Sequence, residues 1–122
     1  MVIVNPKAGS GRGLKDWPII SNQMFNSGLH FSCVFTEHKY HAIELTVKAI
    51  NDGYRNIVAV GGDGTVNEVA RSLVHSRTAL GIIPCGSGNG LARHLYIPMN
   101  PEGAMQVLAD CQIKSLDYGI IN

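Results

Sequence analysis

The amino-acid sequence predicts an α/β fold, an open and mostly parallel sheet with helices on both faces. Short runs of β-branched residues alternate with segments of helical period, which is the pattern of βαβ units. The segment after residues 57–60 carries apolar residues at i, i+3, i+4, i+7 and i+8, so a helix there has one apolar stripe that packs on a sheet. Glycine-rich segments follow three of the apolar runs. A parallel sheet would bring these segments to one edge.

Five strands and four helices are predicted in turn along the chain. The strands are the apolar runs 2–4, 31–35, 57–60 and 80–83 and the less regular run 113–116. The helices lie at about 17–26, 41–51, 65–74 and 101–109. Gly28 and Gly53 follow the first two helices, where a left-handed C-terminal cap is expected, and Asn100 with Pro101 suits the start of the last helix.

Length, charge and cysteine content narrow the class of protein. The 122 residues, 45% of them hydrophobic, suit one compact domain. The formal charge is +1 and the basic residues are scattered. The sequence therefore gives no sign of the large positively charged surface of a nucleic-acid-binding protein. The three cysteines stand far apart, without disulfide or zinc spacing, so we expect a reducing, cytoplasmic location. No apolar stretch approaches the roughly 20 residues of a transmembrane segment.

The three glycine-rich segments are NPKAGSGRG, GGDGTVNE and PCGSGNG, after the first, third and fourth predicted strands. Each alone fits an ordinary tight turn. Together at one sheet edge they predict a polyphosphate site, because glycines let backbone N–H groups approach phosphate oxygens. Neither a P-loop ending in G-K-[ST] nor a G-x-G-x-x-G dinucleotide turn is present in them.

Asp63 is a carboxylate in the middle of the second glycine-rich segment. Its charge becomes favourable near phosphates if Mg²⁺ accompanies a nucleoside triphosphate, met directly or through water. Asp63 could also take a proton from an attacking hydroxyl. The alternative is that it satisfies turn amides or caps a helix that opens at Thr65. Thr65 can donate to a phosphate, Glu68 favours a helix N-terminus, and Lys7 is either a phosphate-neutralising charge or a surface lysine.

The segments NPKAGSG, GGDGTVNEV and IIPCGSGNGLARHLYIP, in this order and spacing, resemble the catalytic domain shared by diacylglycerol, sphingosine and ceramide kinases and bacterial lipid kinases. The resemblance covers nearly the whole chain. NAD kinases share the GGDGT core, but the Asn-Glu pair after GGDGTV and the opening NPKAG favour the lipid kinases. The resemblance implies ATP and Mg²⁺ as cofactors and phosphoryl transfer to a lipid hydroxyl in phospholipid metabolism.

The resemblance also implies which residues contact the nucleotide. They are Asn5, Pro6, Lys7, Ala8, Gly9, Thr36, Gly61, Gly62, Asp63, Gly64, Thr65, Val66, Asn67, Glu68 and Ser87. Asp63 is the implied catalytic residue and holds Mg²⁺ through water. Many bacterial members read Gly-Thr-Gly-Asn-Asp where this chain reads Gly-Ser-Gly-Asn-Gly over residues 86–90. Ser87 keeps the hydroxyl, but Gly90 lacks the carboxylate, so the lipid acceptor is not assigned.

Relatives continue past the D-x-G segment, here residues 117–119, into a β-rich second domain that holds much of the lipid site. We therefore expect residues 1–122 to be the nucleotide-binding domain, without that C-terminal domain, and inactive alone. If the last strand has an exposed edge, a homo-oligomer is favoured. The lipid acceptor implies that the enzyme acts at the inner face of the membrane. The alternatives are an NAD-kinase-like enzyme with a soluble acceptor and a non-catalytic nucleotide-binding module.

His38 and His41 lie three residues apart but lack an evident third metal ligand. His41 is a candidate neighbour of the phosphates.

Overall fold

The computed structural model describes residues 1–85 and Gly90. Four strands alternate with three helices over this part of the chain, as predicted. The elements are β1 (Val2–Val4), α1 (Ala8–Asn26), β2 (Cys33–Phe35), α2 (His41–Asn51), β3 (Asn56–Gly61), α3 (Asp63–Leu73) and β4 (Ala79–Pro84). The predicted helix 101–109, the predicted strand 113–116 and the predicted site residue Ser87 lie outside the described residues.

The sheet has the strand order β2-β1-β3-β4, and every neighbouring pair is parallel. Val4 at the end of β1 lies beside Phe35 of β2 and Val60 of β3. The chain moves from β1 to β2 in one direction and then crosses back over β1 to β3 and β4. The strand order therefore reverses between β1 and β3, and ligands bind at such a switch point beyond the carboxyl ends of the strands.

Two hydrophobic cores cover the two faces of the sheet. Alternate residues of β1 point to opposite faces, and the buried residues divide accordingly. The first core contains Val2, Val4, Ala8, Trp17, Ile20, Met24, Val60, Ile83 and Cys85. The second contains Ile3, Ala42, Ala49, Ile57, Ala59, Val66, Val69, Leu73 and Ile82. Helix α1 covers one face and helices α2 and α3 the other, which confirms the three-layer arrangement predicted from the sequence.

The helix boundaries differ from the predicted ones at the glycine-rich segments. Helix α1 begins at Ala8 rather than near Trp17, and residues 9–11 interrupt it with φ values of 59°, 59° and 100°. The N–H of Leu14 donates to the carbonyl of Pro6, so the segment coils tightly against the end of β1. Helix α3 begins at Asp63, two residues before the predicted start. Gly28 and Gly53 adopt φ of 80° and 92°, as the predicted caps require.

Candidate functional site

A cleft of about 430 Å³ opens beyond the carboxyl ends of β1 and β3. The loop after β1 and helix α3 form one side, and residues 36–40, between β2 and α2, form the other. The lining residues are Asn5, Lys7, Thr36, Glu37, His38, Lys39, Tyr40, Gly64, Thr65, Asn67, Glu68 and Arg71. The cleft thus lies at the switch point that the topology defines.

Asn5 joins the two elements that meet at this switch point. Its backbone N–H donates to the carbonyl of Val60 at 2.9 Å, which holds it beside β3. Its side-chain Nδ2 donates to Oγ1 of Thr65 at 3.0 Å, and its Oδ1 accepts the N–H of Lys7 at 3.0 Å. Both ends of the amide are therefore used inside the protein, so Asn5 positions Thr65 and the loop after β1.

Thr65 is buried, yet it is one of the residues that line the cleft. Because Oγ1 accepts the bond from Asn5, the hydroxyl hydrogen remains available to a ligand oxygen. Close packing fixes the side chain, since a Cβ at Gly61 would stand 2.8 Å from Thr65 Oγ1. Gly61 thus leaves the space that the Thr65 side chain occupies.

Helix α3 presents its N-terminus beside the same cleft. The N-cap is Gly62, with extended backbone and no side-chain cap hydrogen bond. The first N–H to bond within the helix is that of Val66, to the carbonyl of Gly62, so the amides of the three preceding helical residues have no intrahelical acceptor. An uncapped helix N-terminus carries partial positive charge and binds anions.

Asp63 does not cap this helix, so the capping half of the alternative is wrong. Its carboxylate instead accepts the N–H of Gly90 at 2.5 Å, which ties the start of α3 to the segment that follows β4. The side chain is exposed and is not among the residues that line the cleft. Asp63 therefore has a structural partner in a loop amide, and one carboxylate oxygen accounts for that contact.

Charged side chains surround the cleft. Lys7, Lys39 and Arg71 contribute cations, and Glu37 and Glu68 contribute carboxylates. Among the described residues, the buried Oε1 atom of Glu68 has no hydrogen-bond partner. A buried polar atom without a partner is costly, so this oxygen is free, among the described residues, to bind a further group.

Residues 37–40 form the wall opposite α3. Tyr40 has a positive φ of 67°, a conformation that non-glycine residues seldom adopt and that is found at functional sites. The Nζ atom of Lys39 lies 5.0 Å from the centre of the Tyr40 ring, within cation–π range. The loop is held at its start by the Glu37 N–H, which donates to Nδ1 of His41 at 2.9 Å.

Gly9 lets the first glycine-rich segment reach the end of β4. A Cβ at this position would lie 2.0 Å from the carbonyl oxygen of Cys85, so only glycine fits. Burial raises the pKa of the Cys85 thiol to about 11, with Asp16 adding to the effect and Arg12 opposing it. The thiol therefore stays protonated near neutral pH and acts as a core residue.

The structure brings together seven of the residues that the sequence assigned to nucleotide binding. Those that line the cleft are Asn5, Lys7, Thr36, Gly64, Thr65, Asn67 and Glu68. Those of the described set that do not line it are Pro6, Ala8, Gly9, Gly61, Gly62, Asp63 and Val66. Ala8 and Val66 are buried in the two cores, so their side chains serve packing.

The cleft also contains five residues that were not predicted from the sequence: Glu37, His38, Lys39, Tyr40 and Arg71. The first four follow Thr36 directly, and only the position of β2 beside β1 brings them to the site. Arg71 lies one helical turn from Asn67 and Glu68. Its spacing on the predicted helix was the available signal.

The fold places the chain among the open parallel α/β domains, a class whose ligands bind at the switch point of the sheet. A family model described as "Diacylglycerol kinase catalytic domain" matches residues 1–121. The chain belongs to this family. No helix within the described residues is long and apolar enough to cross a membrane.

Individual relatives agree with this assignment. The chain is 32% identical over 123 residues to a diacylglycerol kinase of Staphylococcus haemolyticus (strain JCSC1435), covering 99% of this chain and 37% of the relative. It is 31% identical over 123 residues to that of Staphylococcus aureus (strain bovine RF122 / ET3-1), covering 99% and 39%. The chain thus spans less than half the length of these curated relatives.

A crystal structure of a diacylglycerol kinase from Bacillus anthracis (strain Sterne) has a similar fold. It superimposes with a TM-score of 0.80 at 28% identity, over 91% of this chain and 42% of that chain. The parallel α/β fold predicted from the sequence therefore matches a solved structure of the family.

Proposed function

We propose that this chain is the nucleotide-binding domain of a lipid kinase that transfers the γ-phosphoryl group of ATP to a lipid hydroxyl. The observation that carries the proposal is the uncapped N-terminus of α3 beside the cleft at the switch point. Phosphate groups are the natural ligands of such a helix end. Membership of the diacylglycerol kinase family supports the choice of reaction and of acceptor class.

Several groups would bind the triphosphate. The Thr65 hydroxyl donates one hydrogen bond, and the first amides of α3 donate others along the helix axis. Lys7 and Arg71 at the cleft neutralise phosphate charge, as a flexible point charge and a planar fork of donors respectively. These contacts hold the ATP while the acceptor hydroxyl approaches.

The acidic residues fit Mg²⁺. Glu68 offers a buried oxygen without a partner among the described residues, and Asp63 offers a carboxylate of which one oxygen accepts a loop amide. Magnesium is bound in such sites by one or two carboxylates, waters and phosphate oxygens. Glu68 lines the cleft and would hold the ion, and Asp63, whose side chain does not line the cleft, would meet it through water; when bound, the ion would neutralise charge on the β- and γ-phosphates.

Asp63 is the proposed catalytic residue. Its carboxylate accepts the proton of the lipid hydroxyl as the hydroxyl oxygen forms a bond to the γ-phosphorus. The bond from that phosphorus to the bridging oxygen breaks, and ADP leaves with the electron pair. The hydrogen bond from Gly90 orients the carboxylate for this role.

The test is the Asp63→Asn variant of the full-length protein. Asparagine Oδ1 still accepts the Gly90 amide, so folding is kept, but the amide is a poor proton acceptor. We expect kcat with a lipid acceptor to fall at least ~100-fold, the lower range for losing a proton-transfer group, while ATP affinity changes less. Turnover of diacylglycerol, sphingosine and soluble acceptors is compared, with a melting curve for each protein.

Two results would contradict the proposal. Near-normal turnover in a stably folded Asp63→Asn protein would leave Asp63 a purely structural role. Faster phosphorylation of NAD or another soluble acceptor than of any lipid would make the protein a kinase of soluble substrates.

A further inference from the structure

His38, His41 and Glu44 form a cluster at the start of α2. One potential ligand atom from each lies within 4.8 Å of the others. The rings of His38 and His41 are stacked, with centroids 4.4 Å apart and planes 18° apart. His41 and Glu44 share one face of the first helical turn, and His38 reaches them from the preceding loop. The structure thus supplies the third ligand that the sequence did not reveal.

The hydrogen bonding of His38 fixes a tautomer that suits a metal ligand. Its Nδ1 lies 2.9 Å from the carbonyl oxygen of Lys39, and because a carbonyl only accepts, this nitrogen carries the hydrogen. The lone pair is therefore on Nε2. A ring N–H donated to a backbone carbonyl is the usual second-shell arrangement of metal-binding histidines, since it fixes the tautomer.

His41 holds its lone pair on the other nitrogen. Nδ1 accepts the N–H of Glu37, so the neutral ring carries its hydrogen on Nε2. A cation that binds this neutral ring must take the lone pair at Nδ1, where it replaces the Glu37 N–H. Metal binding and the position of the loop 37–40 are therefore linked.

We propose that His38 Nε2, His41 Nδ1 and a Glu44 carboxylate oxygen bind a divalent transition-metal ion such as Zn²⁺. Two imidazoles and one carboxylate with an open fourth position are a known zinc ligand set. Mg²⁺ prefers oxygen ligands, so this site is distinct from the proposed one at Asp63 and Glu68. Ligand atoms around tetrahedral zinc are about 3.4 Å apart at bond lengths of about 2.1 Å. The stacked rings direct their lone pairs side by side, so one ring must turn before both lone pairs meet one ion. His38 and Glu44 are exposed and His41 is half-buried, so side-chain rotation can supply this turn and close the remaining distance.

The site adjoins the cleft, because His38 is also one of the cleft residues. An ion there would release the Glu37 N–H from His41 and add positive charge to the edge of a cleft that already contains Lys7 and Arg71. The inference concerns metal binding and does not depend on phosphoryl transfer.

The experiment is a titration of the full-length protein with Zn²⁺ in competition with a chromophoric chelator, without nucleotide. Cys33 is exposed, so the protein carries Cys33→Ser and Cys111→Ser to remove competing thiols. We expect one ion per chain, with affinity lowered at least ~10-fold in Glu44→Gln and lost in His38→Ala. The amide NMR signal of Glu37 should shift as Zn²⁺ binds.

Matched controls are His30→Ala, an exposed histidine outside the cluster, and Asp52→Asn at the other end of α2. Both should bind Zn²⁺ as the parent protein does, and circular dichroism should show that every variant is folded. Unchanged affinity in folded His38→Ala and Glu44→Gln would overturn the site. Zn²⁺ binding without a shift of the Glu37 amide would overturn the assignment of His41 Nδ1.

Discussion

Single residues at the cleft divide into those that hold the site and those that offer a bond to a ligand. Asn5 belongs to the first group, since Thr65 and Lys7 take both ends of its amide. Thr65 belongs to the second, since its hydroxyl accepts from Asn5 and its own hydrogen has no acceptor among the described residues. Because Asn5 donates to Thr65, the Thr65 hydroxyl is left as a hydrogen-bond donor.

Replacing Thr65 with valine should separate these functions. The Thr65→Val side chain keeps its shape but loses the hydroxyl, so the free energy of unfolding should fall by about 1–2 kcal/mol as Asn5 Nδ2 loses its acceptor. ATP affinity should fall about tenfold or more, because a hydrogen bond to a charged phosphate is among the stronger kinds. Calorimetry and denaturant unfolding of the full-length protein measure both. Thr65→Ser is the matched control and should keep most of the affinity; equal affinity in Thr65→Val and the parent would exclude a phosphate contact here.

At the level of elements, the first turn of α3 shows how binding competes with helix stability. Gly64 is exposed in this turn, and a Cβ there would meet no described atom within 4 Å. Glycine is a poor helix residue. Its presence where space allows a side chain supports the proposal that the backbone of this turn faces a ligand.

The Gly64→Ala variant should therefore be more stable and a weaker binder. We expect up to about 1 kcal/mol of added stability from helix propensity, with a several-fold loss of ATP affinity because the methyl group stands over the amides. Thermal unfolding and ATP titration of the full-length protein test this. Gly28→Ala is the opposite control: its φ of 80° disfavours a side chain, so stability should fall with ATP affinity unchanged. A Gly64→Ala protein that binds ATP normally would remove the backbone of this turn from the site.

The elements also show which parts of the structure were readable from the sequence. The alternation of strands and helices was predictable because each strand is apolar and Val66, Val69 and Leu73 mark one helix face. The predicted start of α1 was wrong because the apolar periodicity begins only at Trp17. The conformation of the preceding glycine-rich residues depends on contacts with Asn5 and Cys85, which are distant or irregular in the sequence pattern. The contribution of residues 37–40 to the cleft was not predicted. They lie there because β2 is next to β1 in the sheet, and the local sequence does not specify the strand order.

On the scale of the whole molecule, the chain covers 37% and 39% of the two staphylococcal kinases compared above. We propose that catalysis requires a further domain that holds the lipid. Residues 1–122 expressed alone should show no lipid kinase activity, while the full-length protein should be active. Product formation with labelled ATP measures both, and sedimentation tests whether the shorter chain associates into the homo-oligomer expected from the sequence. Full lipid kinase activity in residues 1–122 would contradict the need for another domain.

The hydrogen bond between Asn5 and Thr65 has a mechanical consequence. It clamps the loop after β1 to α3, and both are anchored in the sheet, so this side of the cleft moves as one rigid body. Residues 37–40 have no such clamp in the part of the chain that the structure describes, where their hydrogen bonds stay within the loop and the first turn of α2. One side of the cleft is thus fixed to the sheet, whereas the other side is fixed only through the start of α2. We expect a bound ligand to displace residues 37–40 more than Asn5 and Thr65.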